Sequence, residues 1–142
     1  MNKHAGSGTL YLLELIFSIL FFAISAAVCL NIFALAHTMS KESVDLQRAV
    51  SVVSDACEAV STAQSEEEAM QRLSLLWSFK DGNTVYLSAD LKNTTPEEAD
   101  YILIADVNRT DEMLTANFGF YRNGAEDDIY SQQTKVNIKA AR

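Results

Sequence analysis

Charged residues are spread unevenly along the chain. From Leu10 to Ala36 the only side chain that is ionised at neutral pH is Glu14, whereas charges recur every few positions beyond His37. This apolar run is longer than the roughly 20 residues that a membrane-spanning helix needs, and a helix satisfies its own backbone hydrogen bonds in lipid. A secretory signal peptide has an apolar core of only about 7–15 residues and a small-residue cleavage site. The pattern therefore favours a retained transmembrane helix over residues 10–36.

Few charges flank this predicted helix. Lys3 precedes it, and Lys41 and Arg48 follow it among acidic residues, so the positive-inside rule gives no clear orientation. A short tail over residues 1–9 followed by a much longer domain favours a cytoplasmic N-terminus. We therefore expect a single-pass cell-membrane protein whose C-terminal domain lies outside.

Beyond the apolar run, apolar residues recur at alternating steps of four and three, which is heptad spacing along one helical face. The members of this predicted packing stripe are Leu46, Val50, Val53, Cys57 and Val60. No proline occurs before Pro96, so we expect the helix to continue outside the membrane through residues 37–64. The stripe would cover a sheet in the same chain; an intermolecular coiled coil is the alternative.

Residues 65–142 contain a second helix and then β-strands. Ser65 with Glu68 three residues later matches a capping box, and we expect this helix to end near Phe79. The apolar period then changes from about 3.6 to 2, in four segments separated by turn-sized connections. These segments lie around Val85–Leu91, YILIADV, Leu114–Phe120 and Ile129–Ile138.

Short strands with such connections predict an antiparallel meander. One face of a small sheet needs a cover, and the packing stripe supplies one. The predicted fold is therefore α+β, with a long N-terminal transmembrane helix that continues outside the membrane and packs on a small antiparallel sheet.

The chemistry of the sequence argues against several classes of function. The net charge is −8, and a domain with this charge is repelled by nucleic acids and by anionic headgroups. The only histidines are His4 and His37, near the ends of the apolar run. The sequence contains no cysteines and histidines at the spacing of a zinc site, no redox-active cysteine pair and no phosphate-binding loop. We therefore expect no enzyme, no catalytic or metal site, no cofactor and no nucleic-acid partner.

The N-terminal sequence GSGTLYLLELIFSILFF resembles the type IV pilins and type II secretion pseudopilins. In that family a short basic leader ends in glycine, and an apolar helix with one early glutamate follows. Here Lys3 supplies the basic character, Gly8 the glycine and Glu14 the glutamate, and the string Leu12-Leu13-Glu14-Leu15 is similar to the family's core. The similarity covers about the first 35 residues by motif. It implies a bacterial-envelope subunit.

The resemblance also implies cleavage of the leader by a prepilin peptidase, at one of two bonds. Cleavage after Gly8 makes Glu14 the sixth residue of the mature chain, whereas cleavage after Thr9 makes it the fifth, as in the family. The first mature residue is then Thr9 or Leu10, where the family usually has phenylalanine or methionine. This pattern favours a minor subunit with a degenerate leader, or an unprocessed relative.

Glu14 is the candidate assembly residue. A carboxylate in lipid is costly and usually has a partner, and the resemblance implies the amino terminus of a neighbouring subunit. Alternatively, Glu14 lies about 6 Å inside the helix start and reaches water at the headgroups. Ser18, Ser25, Ala26 and Ala27 are small enough for close helix packing, although a lone anchor also tolerates them.

Two functions follow. The first is a structural, pilin-like subunit of a pilus or secretion pseudopilus, whose partners are the lipid bilayer, other pilin-like subunits and a prepilin peptidase. The alternative is a bitopic accessory or scaffold protein whose outer domain binds another envelope protein without polymerising. Assembly through the apolar helix distinguishes the first, and a stable monomer that keeps its leader distinguishes the second.

Overall fold

The computed structural model describes residues 5–80 and 82–138, which form two α-helices and one four-stranded antiparallel sheet. The chain divides into an N-terminal unit, Met1–Ser43, and a sheet unit, Val44–Arg142. The elements are α1 (Ala5–Ser61), α2 (Glu66–Leu76), β1 (Thr84–Leu87), β2 (Tyr101–Thr110), β3 (Met113–Arg122) and β4 (Asp128–Asn137). The predicted α+β class and the small antiparallel sheet are confirmed.

Helix α1 begins at Ala5, earlier than the predicted start at Leu10, and ends at Ser61. Nothing between these residues interrupts a helix, because the first proline is Pro96. Residues 5–9, expected in a separate leader, therefore belong to the helix. The predicted leader residue Lys3 lies outside the described residues.

The sheet is a meander in which each strand pairs with the next, in the order β1-β2-β3-β4. A tight turn joins β2 to β3, with Thr110 opposite Met113. Asp111 in this turn has a φ of 52°, a left-handed conformation that aspartate tolerates better than most residues. Strand β1 ends at Leu87, before the predicted Ala89 and Leu91, because the chain turns there and Leu91 has a φ of 59°.

One hydrophobic core holds the sheet unit together. Alternate residues of β2 and β3 point into it, as the period of two predicts, and Leu73 and Trp77 join it from α2 and its C-terminus. The largest side chains that are fully buried are Phe118, Phe120, Leu73, Leu87, Leu103 and Leu114.

The buried face of α1 in the sheet unit differs from the predicted stripe. Val53 and Val60 are fully buried and Cys57 is half-buried, but Leu46 and Val50 are 45% and 42% exposed. The buried residues of this segment are Asp45, Ala49, Val52, Val53, Ala56 and Val60. The prediction counted only the larger apolar side chains. The two alanines lie in the core instead and leave Leu46 and Val50 at the outer surface of the helix.

The predicted capping box starts α2, with one difference in its partners. Ser65 Oγ accepts a hydrogen bond from the Glu68 amide at 3.1 Å. The Glu68 carboxylate accepts one from the Gln64 amide at 3.0 Å, one residue before the expected amide of Ser65. The helix ends at Leu76, earlier than the predicted Phe79, because Trp77 adopts an extended conformation.

We expect Ser65→Ala to lower the free energy of unfolding of the sheet unit by about 1 kcal/mol, because the Glu68 amide loses its acceptor. Ser74→Ala is the control, since Ser74 is an exposed serine within the same helix and such changes usually stay within about 0.5 kcal/mol. Urea denaturation can be followed by the fluorescence of Trp77, the only tryptophan of the chain. Equal losses in both variants would contradict the capping role.

Candidate functional site

The candidate site of the N-terminal unit is the surface of its helix. Every described side chain from Gly8 to Ser43 is exposed, including Leu10 at 70%, Phe22 at 77% and Phe33 at 75%. Water-soluble surfaces rarely expose contiguous apolar patches of this extent. By length and composition, this is one helix that is long and apolar enough to cross a membrane.

Glu14 is exposed on this helix among apolar side chains. Its neighbours one turn away include Leu10, Tyr11 and Phe17. Within the described residues, Glu14 has no ion-pair partner. In an apolar environment its carboxylate therefore needs a partner from outside those residues, or water at the membrane surface.

Small and polar side chains share one face with Glu14. The spacing of Glu14, Ser18, Ser25 and Cys29 places them within about 60° of each other around the helix axis. The Ser25 hydroxyl donates a hydrogen bond to the Phe21 carbonyl at 2.9 Å, so its own chain satisfies it. The predicted packing residues included only the small side chains, so Glu14 and Cys29 were not grouped with the serines.

The residues of the predicted cleavage site lie inside α1. Gly8, Thr9 and Leu10 all have helical backbone, so neither candidate bond lies in an extended segment.

The sheet unit contains a polar cluster that the sequence analysis missed. Asp45 of α1 is the one described charged residue that is buried, at 8% exposure. The Tyr101 hydroxyl donates a hydrogen bond to its Oδ1, and the Arg122 guanidinium pairs with its Oδ2. Arg48 Nη1 donates to the Tyr101 hydroxyl at 2.9 Å. The Tyr101 ring stacks on Phe120, with centroids 5.1 Å apart.

This cluster joins α1 to two strands of the sheet. Tyr101 is the first residue of β2 and Arg122 the last of β3, and the two are paired in register. Asp45 thus holds the helix at the end of the sheet where these residues meet. We assign the cluster a structural role, because all its members are engaged with one another.

The cluster changes the acidity of its members. Burial would raise the pKa of the Asp45 carboxyl, but the hydrogen bond from Tyr101 and the pairing with Arg122 outweigh it, so the pKa lies below the ordinary 3.8. Burial, together with the hydrogen bond to Asp45, raises the pKa of the Tyr101 hydroxyl above the ordinary 10.0. At neutral pH the pair is therefore a carboxylate and a phenol.

We expect Asp45→Asn to lower the free energy of unfolding by about 1–3 kcal/mol at pH 7. Because the pKa of Asp45 is lower in the folded chain, its stabilisation is present above the ordinary pKa of 3.8 that the carboxyl has in the unfolded chain. It is lost as the pH falls through the folded pKa. Urea denaturation followed by Trp77 fluorescence should thus give a difference between wild type and variant that shrinks below about pH 4.

Asp55→Asn, at an exposed position of the same helix, is the control for this series. A difference for Asp45→Asn that is unchanged between pH 7 and pH 2 would contradict the role assigned to its charge.

The exposed members of the predicted stripe line a shallow depression on the sheet unit. Leu46 and Val50 border it together with Gln47, Ser51, Ser54 and Asp55, and its volume is about 470 Å³. These two apolar side chains are therefore accessible for contact with another molecule, as the coiled-coil alternative requires.

Comparisons of the chain with models of known protein families, with curated proteins and with solved structures find no match.

Proposed function

We propose that this protein is a single-pass, pilin-like membrane subunit that assembles through its N-terminal helix into a pilus or a secretion pseudopilus. The observation that carries the proposal is the N-terminal stretch of α1, whose exposed apolar surface contains one carboxylate, Glu14. The same helix continues into a segment that packs on an antiparallel sheet. The pilin resemblance of residues 6–22 supports the proposal.

Glu14 gives the assembly its register. In lipid, a carboxylate without a partner is strongly disfavoured, and within the described chain Glu14 has no ion-pair partner. The positively charged amino terminus of a neighbouring subunit satisfies it. The small residues Ser18 and Ser25 on the same face allow a second helix to approach closely.

Cysteine crosslinking in membranes tests this assembly. In a chain with Cys29→Ser and Cys57→Ser, single cysteines are introduced at successive positions from 18 to 30 and treated with an oxidant or a short bismaleimide. We expect dimers to recur every three to four positions, because one helical face contacts the neighbour. Crosslinking that is absent, or equal at all positions, would contradict a specific helix interface.

One observation favours the second function, a bitopic scaffold that never polymerises. Gly8, Thr9 and Leu10 lie inside α1. A peptidase that binds its substrate in an extended conformation could cleave there only after this part of the helix had unwound. An intact N-terminus leaves the helix as an anchor. The sheet unit would then bind its partner alone, and the crosslinking series would give monomers.

A further inference from the structure

The sheet face opposite the core carries a row of aromatic and aliphatic side chains. Tyr86 of β1 pairs with Ile102 of β2, and Ile102 pairs with Tyr121 of β3. Paired residues of antiparallel strands point to the same face, so these three side chains form one line across the sheet, here called the tyrosine row. All three are half-buried, and none belongs to the hydrophobic core.

Tyr121 lies down on the sheet instead of projecting into solvent. A methyl group added to Gly119 would come within 2.7 Å of Tyr121 Cε2 and 2.9 Å of its hydroxyl oxygen. The ring therefore occupies the space above Gly119, and Gly119 itself is buried. Because Gly119 has no side chain, the Tyr121 ring of the tyrosine row can lie close to the sheet.

Acidic side chains lie in the loops at the end of the sheet nearest to the tyrosine row. Asp128 is paired with Tyr121 in register, and the loop before β2, which carries further acids, lies at the same end of the sheet. The Asn123 amide holds this loop by donating hydrogen bonds to the carbonyls of Ala99, at 2.8 Å, and Pro96, at 3.3 Å. The exposed members of this acidic rim are Glu97, Glu98, Glu126, Asp127 and Asp128.

The arginine nearest to this rim in sequence has a carboxylate partner in α1. Arg122 pairs with Asp45 of α1, and its register partner Tyr101 belongs to the core face of the sheet. The surface around the tyrosine row thus combines aromatic rings with the carboxylates of the acidic rim.

We propose that the tyrosine row and the acidic rim bind an arginine-containing basic segment of a partner protein. Guanidinium groups stack on tyrosine faces and form paired hydrogen bonds with carboxylates. The aliphatic stem of an arginine packs on an apolar side chain such as Ile102. The proposed binding does not depend on how the N-terminal helix assembles.

The charge of the surface also disfavours a second copy of this chain as the occupant. Two copies that met symmetrically through this face would bring their acidic rims together, and such like-charge contacts oppose association. A basic segment meets the same rim with complementary charge.

A defined peptide tests the proposal on the full-length protein in uncharged detergent at low salt. The probe is a fluorescent peptide of alternating arginine and serine, and its control has citrulline in place of arginine. Binding is measured by fluorescence anisotropy. We expect the citrulline peptide to bind at least about tenfold more weakly, because it keeps the size but loses the charge.

Variants then locate the binding surface. Tyr86→Leu and Tyr121→Leu should each weaken binding by about three- to tenfold, and Gly119→Ala should do so by displacing the Tyr121 ring. The double change Glu97→Gln and Glu98→Gln should weaken it similarly. The control is Glu66→Gln with Glu67→Gln in the first turn of α2, which removes the same charge and should change affinity less than about twofold.

Trp77 fluorescence verifies that each variant is folded. Absence of arginine-peptide binding would overturn the proposal, and so would equal losses in the two glutamate pairs, because binding would then follow net charge alone. Unchanged affinity in both tyrosine variants would overturn it as well. Self-association of the protein that Tyr121→Leu abolishes would assign the surface to a second copy and also contradict the proposal.

Discussion

Leu73→Ala should lower the free energy of unfolding of the sheet unit by about 2–5 kcal/mol. Leu73 is fully buried in α2 and belongs to the same core as the strand residues. Truncation removes buried apolar surface and leaves a cavity, because the packed neighbours relax only partly. Since small domains are stable by only about 5–15 kcal/mol, this one change removes a large part of the total.

The same helix provides a matched control. Leu75 lies two residues away and is 82% exposed, so Leu75→Ala should change the free energy of unfolding by less than about 0.5 kcal/mol. Urea denaturation of the full-length protein in detergent, followed by Trp77 fluorescence, measures both variants. Comparable losses at Leu73 and Leu75 would contradict the described packing of α2 on the sheet.

Glu14→Leu should strongly reduce assembly while leaving membrane insertion intact. The change removes the one carboxylate of the apolar run and makes the helix more favourable in lipid, because apolar side chains insert at lower cost than acidic ones. If Glu14 pairs with a neighbouring subunit, the variant loses that contact and its register. We expect at least about a tenfold loss of assembled material, which corresponds to about 1.4 kcal/mol in an assembly equilibrium.

Glu42→Leu is the control for this experiment, because it removes the same charge from the same helix beyond the apolar run. The fraction in large complexes is measured after gentle extraction from membranes, by size-exclusion chromatography and immunodetection. Normal assembly of Glu14→Leu would leave only the headgroup-water interpretation of this residue.

Local patterns predicted most of the secondary structure of this protein. The alternation of Leu114, Ala116, Phe118 and Phe120 identified β3 and its buried face, because strand side chains alternate between two faces. Ser65 and Glu68 located the start of α2 through capping chemistry that needs only neighbouring residues. The predicted ends of the helices were less accurate, because neither Ala5 nor Leu76 is a residue type that marks the start or the end of a helix.

Features that depend on distant contacts could not be predicted in this way. Asp45 looks like a surface residue in sequence, and its partners Tyr101 and Arg122 are 56 and 77 residues away. The packing face of α1 was misplaced for a similar reason. Ala49 and Ala56 are too small to mark a stripe, yet they lie in the core, whereas Leu46 and Val50 are larger and exposed.

For the candidate site, the sequence located Glu14 and the small residues beside it, because a lone acid in an apolar run is conspicuous. The tyrosine row depends on strand register, which joins residues from three separate segments. Periodicity within each strand gave no indication that Tyr86, Ile102 and Tyr121 are neighbours.

The intact mass of the protein extracted from the membranes of its native host tests the pilin-like account most directly. The account predicts a mass that lacks Met1–Gly8 or Met1–Thr9, with an added methyl group on the new amino terminus. A full-length mass, less at most the initiator methionine, would contradict processing as a prepilin and leave the helix as the anchor of a bitopic protein.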